Sequence, residues 1–263
     1  MNLNEKAKDI RRKVLDASYQ KKMGHLGGTY SCIDILVALY YDNIIRINYS
    51  NLKNNNRDRF ILSKGHACLA LYAIFLDLGI INYDLYESYH ENGGLGAQLD
   101  IKCPGVDWNT GSLGHSIGVC CGLSLAARID ESNRRILTLI GDAECAEGSI
   151  WESIVFAGQH KLNIIVIVDR NRMSVIEKLG DESFFKSYPI MLKDLDWDYY
   201  EINGHDFGQI VNTLKICCNS LKPSMIIANT IKGKGVSFME DKINWHHGVP
   251  SDDQYKRAMI ELL

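Results

Sequence analysis

The sequence predicts an α/β fold: a parallel β-sheet with helices on both faces, in the manner of a diphosphate-binding domain. Two observations predict it. Ile136–Ile140, Asn163–Val168 and Ser224–Ala228 are short, mostly β-branched or leucine runs, the pattern of strands buried on both faces. Segments with helical spacing alternate with these runs, which favours parallel strands joined by helical crossovers. The chain has 263 residues, 46% of them hydrophobic, enough for a sizeable core. With no internal repeat and no Pro/Ser-rich linker, residues 1–263 read as one continuous domain.

The elements follow in order. Leu3, Ala7, Ile10, Val14 and Leu15 mark a helix over 3–22 that Gly24 ends. Residues 32–41 form a second helix, with Ser31 as its cap and Asp34 three residues on. Arg59–Leu62 is a short strand, Ser63-Lys64-Gly65-His66 a tight loop, and Ala67–Leu78 a helix. The glycine-rich Gly111–Gly118 stretch opens a helix that runs to Arg128. Residues 149–160 connect the first two long strands, and a helix over Gly208–Cys218 precedes the third.

Charge and composition exclude several classes. A net charge of −3 with 23% charged residues gives no electrostatic reason for nucleic acid or a membrane as partner. The opening Met1–Lys6 is polar and lacks the apolar core of a secretion signal. No apolar run reaches the roughly 18 residues of a membrane span. Cys32, Cys68, Cys103, Cys120, Cys121, Cys145, Cys217 and Cys218 contain no C-x-x-C and fit neither a zinc motif nor a disulfide framework. They read as small buried hydrophobes in a reduced, cytoplasmic setting.

Chemistry is expected at the carboxyl ends of the strands, where open α/β sheets bind ligands. One strand ends in Gly141-Asp142-Ala143 and the next in Asp169-Arg170-Asn171. If they are neighbours in a right-handed crossover, Asp142 and Asn171 emerge together. Two oxygen donors suit Mg²⁺ or Ca²⁺, and Mg²⁺ is commonly shared with phosphates. Backbone N–H groups in the turn after Gly141 favour a phosphate. A Gly-Asp after a strand is equally an ordinary turn when it stands alone.

It does not stand alone. Gly141-Asp142, followed by Asn171 after an apolar strand, resembles the thiamine diphosphate signature. Gly24-His25-Leu26-Gly27-Gly28, Ser63-Lys64-Gly65-His66-Ala67, Thr110-Gly111-Ser112-Leu113-Gly114-His115 and Trp245-His246-His247-Gly248 resemble transketolases, in the same order. The resemblance runs from about Gly24 to Pro250. It implies thiamine diphosphate and Mg²⁺, with Ca²⁺ or Mn²⁺ as substitutes. Asp142 and Asn171 would hold the metal through side chains and Met173 through its carbonyl. Gly141, Ala143 and Lys232 would lie at the diphosphate, and Gly111 and Leu113 at the aminopyrimidine. His25, Lys64, His66 and His247 would line the channel over the reactive carbon, with the three histidines as proton carriers. Of the adjacent pair His246 and His247, one is expected to face that channel, and motif register favours His247. Glu147 and Glu152 resemble acidic residues that link two active sites across an interface; each is also a plain helix-start acid. His115 reads equally as a site or a structural residue. His90, His160 and His205 lie outside these motifs and read as structural or exposed.

Whole transketolases are much longer, and the resemblance covers only their first domain. It implies a partner chain supplying the pyrimidine-binding and C-terminal domains, in an α₂β₂ assembly that transfers a two-carbon ketol unit from a ketose or its phosphate to an aldose. The rival readings are half of a 1-deoxyxylulose-phosphate synthase-like or 2-oxoacid dehydrogenase-like enzyme, and a non-catalytic regulatory subunit. The usual His-Pro-Glu segment before Pro-Gly-Val is replaced by Gly96-Ala97-Gln98 and its successors, ahead of Pro104-Gly105-Val106. That departure points to a specialised sugar, such as one from a surface-polysaccharide or sulfo-sugar pathway, with Gln98 as the candidate replacement.

Overall fold

The computed structural model describes residues 1–175, 177–179 and 184–263. Five parallel strands form one sheet: β1 (Arg59–Leu62), β2 (Ile136–Gly141), β3 (Ile164–Arg170), β4 (Asp198–Asn203) and β5 (Ser224–Asn229). Their order is β1-β2-β3-β5-β4. Gly141 pairs with Asp169, and Asp169 with Ala228, so three carboxyl ends lie side by side.

The period-two alternation of the strands divides the core into two layers. Leu137, Leu139, Ile165, Ile167 and Ile226 face α1 (Leu3–Lys21), α2 (Leu26–Tyr41), α3 (Cys68–Asp77) and α8 (Phe207–Cys218). Ile136, Ile140, Ile164, Val166 and Val168 face α5 (Ser116–Ile129), α6 (Gly148–Gln159) and α7 (Tyr188–Asp194). The helices α4 (Tyr83–Glu87) and α9 (Asp252–Glu261) complete the set. The expected parallel sheet with helices on both faces is therefore present.

Several expected boundaries are corrected. α2 begins at Leu26, not residue 32, and Ser31 lies inside it rather than capping it. Its glycines serve close packing: a β-carbon on Gly27 would meet the Trp245 carbonyl oxygen at 2.9 Å, and one on Gly28 would meet His66 Nε2 at 2.9 Å. The helix is apolar and buried almost all round, as a central helix should be. α5 starts at Ser116, so Gly111–Gly114 remain loop, with Gly111 at φ +130° and Gly114 at φ +85°. A 3₁₀ turn, Ala143–Ala146, separates the Asp142 turn from α6. β4 is an addition to the expected strands; its DYYEIN sequence is a polar edge strand.

Candidate active site

The loops after β1, β2 and β3, the start of α2 and the segments around Lys232 and His246 close around one cavity of about 110 Å³. At its floor lie two buried carboxylates, Asp142 and Asp169. Asp169 is paired with the Lys64 ammonium and also accepts hydrogen bonds from the Ser31 hydroxyl (2.6 Å) and the Thr230 hydroxyl. Lys64 also donates to the Gly28 carbonyl at 2.8 Å. Burial opposes the Asp169 charge, but Lys64 and the hydroxyl donors together hold its carboxyl below the usual range.

Asp142 has no such cation of its own. It accepts from the backbone N–H of Ala143 (2.8 Å) and of Arg172 (2.6 Å). Burial, and then the charge of Asp169, push its carboxyl up to about 6. Asn171 places its Oδ1 as acceptor of the Met173 N–H at 3.1 Å and turns its Nδ2 toward Asp169 and Ser31. Met173 sits in the same wall. The wall thus offers oxygen donors around a carboxylate that is short of positive charge. That donor set fits a hard divalent cation. The Ala143 N–H, expected to face a phosphate, is engaged by Asp142 Oδ1.

Above the floor, Lys232 is 1% exposed and donates to the Ser174 carbonyl at 3.0 Å; its Nζ lies 3.1 Å from His246 Nδ1. Burial, then Lys64, lowers its ammonium to about 8. Four imidazoles gather beside it. His25 lies 5.4 Å from His66, 5.7 Å from His246 and 4.4 Å from His247 between ring centroids. Burial holds His25 down to about 4 and His246 to about 3, and His66 well below the usual histidine range. All three are neutral near pH 7, the form that accepts a proton. The expectation that only one of His246 and His247 faces the channel is corrected: both join the cluster, and it is His246 that lines the cavity beside Lys232.

Leu113 and Gly141 border the cavity, and Leu113 is 46% exposed. Gly111 lies outside its wall, against Gln98. Glu147 is exposed, stands just before α6 and packs behind Gly114, away from the cavity. His115 and Glu152 are also exposed or half-buried at the surface rather than in the cavity wall. Lys64, expected over the reaction centre, lies instead beneath it, in the ion pair with Asp169.

Sequence reasoning missed three residues. Glu144, 1% exposed, accepts from the Ser63 hydroxyl and from the N–H groups of Gly114 (2.9 Å) and Gly141 (3.2 Å), tying three loops together. Asp169 reads in the sequence only as the strand's end; an acid following a buried apolar run was the available signal. His205, expected to be structural or exposed, bonds Asp34 through Nδ1 (2.6 Å) and accepts the Ile231 N–H at Nε2 (2.8 Å). It therefore fixes the backbone next to Lys232.

The family described as "Transketolase, thiamine diphosphate binding domain" matches residues 3–261. The chain belongs to the transketolase family. One of the two subunits of the apulose-4-phosphate transketolase of Phocaeicola vulgatus is 38% identical, over 96% of this chain and 90% of that protein. The 6-deoxy-6-sulfo-D-fructose transketolase subunit SqwG of Clostridium sp. is 34% identical, over 100% and 96%. The crystal structure of Campylobacter jejuni transketolase superimposes with a TM-score of 0.91 at 27% identity, covering all of this chain but 43% of that one. The chain therefore spans nearly all of the transketolase subunits it matches and less than half of a whole transketolase. As a member of this family it carries the domain type that binds thiamine diphosphate.

Proposed function

We propose that this chain is the N-terminal, diphosphate-binding subunit of a two-chain transketolase-like transferase. It would move a two-carbon ketol unit from a ketose or ketose phosphate to an aldose. One observation carries the reading: Asp142, Asn171, Lys232 and a neutral histidine cluster share one cavity, in a chain as long as the family's separate subunits. Residues 1–263 act as a single domain, and a partner chain supplies the pyrimidine-binding and C-terminal domains in an α₂β₂ assembly. The free cysteines among the described residues fit a reducing, cytoplasmic setting. No described helix is long and apolar enough to cross a membrane.

Thiamine diphosphate, when bound, supplies a nucleophilic carbon and an electron sink for breaking a bond beside a carbonyl. Asp142, Asn171 and the Met173 carbonyl hold Mg²⁺, with Ca²⁺ or Mn²⁺ as substitutes, and so neutralise the carboxylate that lacks a counterion. Lys232, Gly141 and Ala143 take the diphosphate. Gly111 and Leu113 flank the aminopyrimidine. His25, His66, His247 and His246 orient the sugar hydroxyls and relay protons in their neutral state. Lys64 supports the floor through Asp169. The named substrates of the relatives, together with the Gly96–Val106 segment, favour a specialised sugar.

Affinity capture of the chain from its native extract tests the assembly: a near-stoichiometric partner resembling the remainder of a transketolase, and ketol transfer by the purified pair, are expected. Isolation as a homo-oligomer without a partner would sink it. Asp142→Ala should abolish Mg²⁺-dependent cofactor retention with the fold intact. Normal cofactor affinity in that variant, by calorimetry on the assembled enzyme, would overturn the metal assignment.

A further inference from the structure

We propose that His25, His246 and His247 form a transition-metal site that takes Zn²⁺, distinct from the oxygen-lined pocket at Asp142 and Asn171. One ligand nitrogen from each ring lies within 4.8 Å of the others. His25 is only 8% exposed, and its Nδ1 is buried with no hydrogen-bond partner, so a nitrogen lone pair or N–H faces the cluster unused. Nothing else in the described surroundings satisfies that atom.

The chemistry selects the ion. Imidazole nitrogens suit zinc, copper and nickel, whereas Mg²⁺ takes oxygen. Three histidines with a fourth position left to water is the ligand set of an open tetrahedral zinc site. Bonds of about 2.0–2.1 Å place tetrahedral ligand atoms about 3.3 Å apart, so the rings must draw inward. His247 is exposed and free to rotate, and supplies most of that movement. Burial keeps His25 and His246 neutral near pH 7, the form that ligates. His246 meets Lys232 Nζ through Nδ1, so Lys232 must yield its proton or its place. Its ammonium is held down to about 8 by burial and by Lys64, which lowers that cost.

The test is calorimetric titration of the 263-residue chain with zinc chloride, in a non-chelating reductant and excess Mg²⁺. One saturable site that Mg²⁺ does not displace is expected. Co²⁺ at the same site should give the visible absorption of a four-coordinate, nitrogen-ligated ion. His247→Ala, at an exposed position that leaves the fold undisturbed, and His25→Gln should each weaken zinc by at least about tenfold. Asp142→Ala should leave zinc affinity unchanged. No saturable site, equal affinity in both histidine variants, or loss of zinc in Asp142→Ala would each overturn the proposal; the second result would assign the binding to cysteine or surface ligands.

Discussion

At the scale of single residues, the site is a problem in charge balance. Asp169 and Asp142 sit on one floor, and Lys64 is committed to the first of them. Removing a partner from a buried pair leaves an uncompensated charge, which costs about 3–5 kcal/mol. Lys64→Met should therefore lower the urea midpoint by an amount of that order, and a change under about 1 kcal/mol would contradict the pairing described. The histidines set the acid side of the stability curve. Their folded-state values lie below the ordinary 6.5, so the unfolded chain binds more protons in the window from 6.5 down to about 4. Stability is full above pH 6.5 and is lost as pH falls through that window. For His25 alone the loss is on the order of 3 kcal/mol. Asp142, raised to about 6, works in the opposite direction over much of the same range, but one carboxyl is outweighed by His25, His66 and His246. Melting curves of the metal-free protein should fall between pH 7 and 5, and His25→Gln should flatten that fall. An unchanged slope in the variant would show that His25 does not titrate as its burial requires.

At the scale of elements, the strands were legible because burial on both faces writes itself as unbroken runs of Ile, Val and Leu. The loops that carry Asp142, Asn171 and Lys64 followed from where those runs stop. What escaped was polar or glycine-rich. Leu26–Ser31 reads as loop because Gly27 and Gly28 are poor helix formers; their reason for being there is the approach of Trp245 and His66, which only the folded chain reveals. β4 carries Asp, Glu and Asn on a sheet edge, and α9 is largely charged. For α9 a signal existed: Ser251 and Gln254 form a capping box. Glu144 was illegible because its three partners come from loops far apart in the chain. The glycine contacts give a prediction at this scale. Gly27→Ala must push on backbone, so a loss of about 1–3 kcal/mol is expected in thermal unfolding. Gly28→Ala meets only the end of the His66 ring, so it should unfold nearly as wild type while ketol transfer by the assembled pair falls. Equal stability of both variants would remove the distinction between backbone and side-chain crowding.

At the scale of the whole molecule, the parallel sheet turns five strands the same way, and the carboxyl ends of three of them deliver the floor of a cavity whose walls come from both ends of the chain. The fold class and the location of the site were therefore readable together, since in this architecture one implies the other. Ligand binding should be felt globally: with Mg²⁺ and thiamine diphosphate at about a hundred times the dissociation constant, a stabilisation of about 2.7 kcal/mol is expected in thermal shift experiments. No shift under saturating conditions would count against the cavity as the cofactor's seat. The strand order has a further consequence, for the making of the chain. β5 enters between β3 and β4, both of which precede it in sequence. During synthesis β3 has its partner β2 on one side but an open row of N–H and C=O groups on the other, and β4 has no neighbour until β5 leaves the ribosome. A strand edge left bare is an invitation to pair with another nascent chain. Translation paused before Ser224 thus marks the stage at which this protein most needs a chaperone.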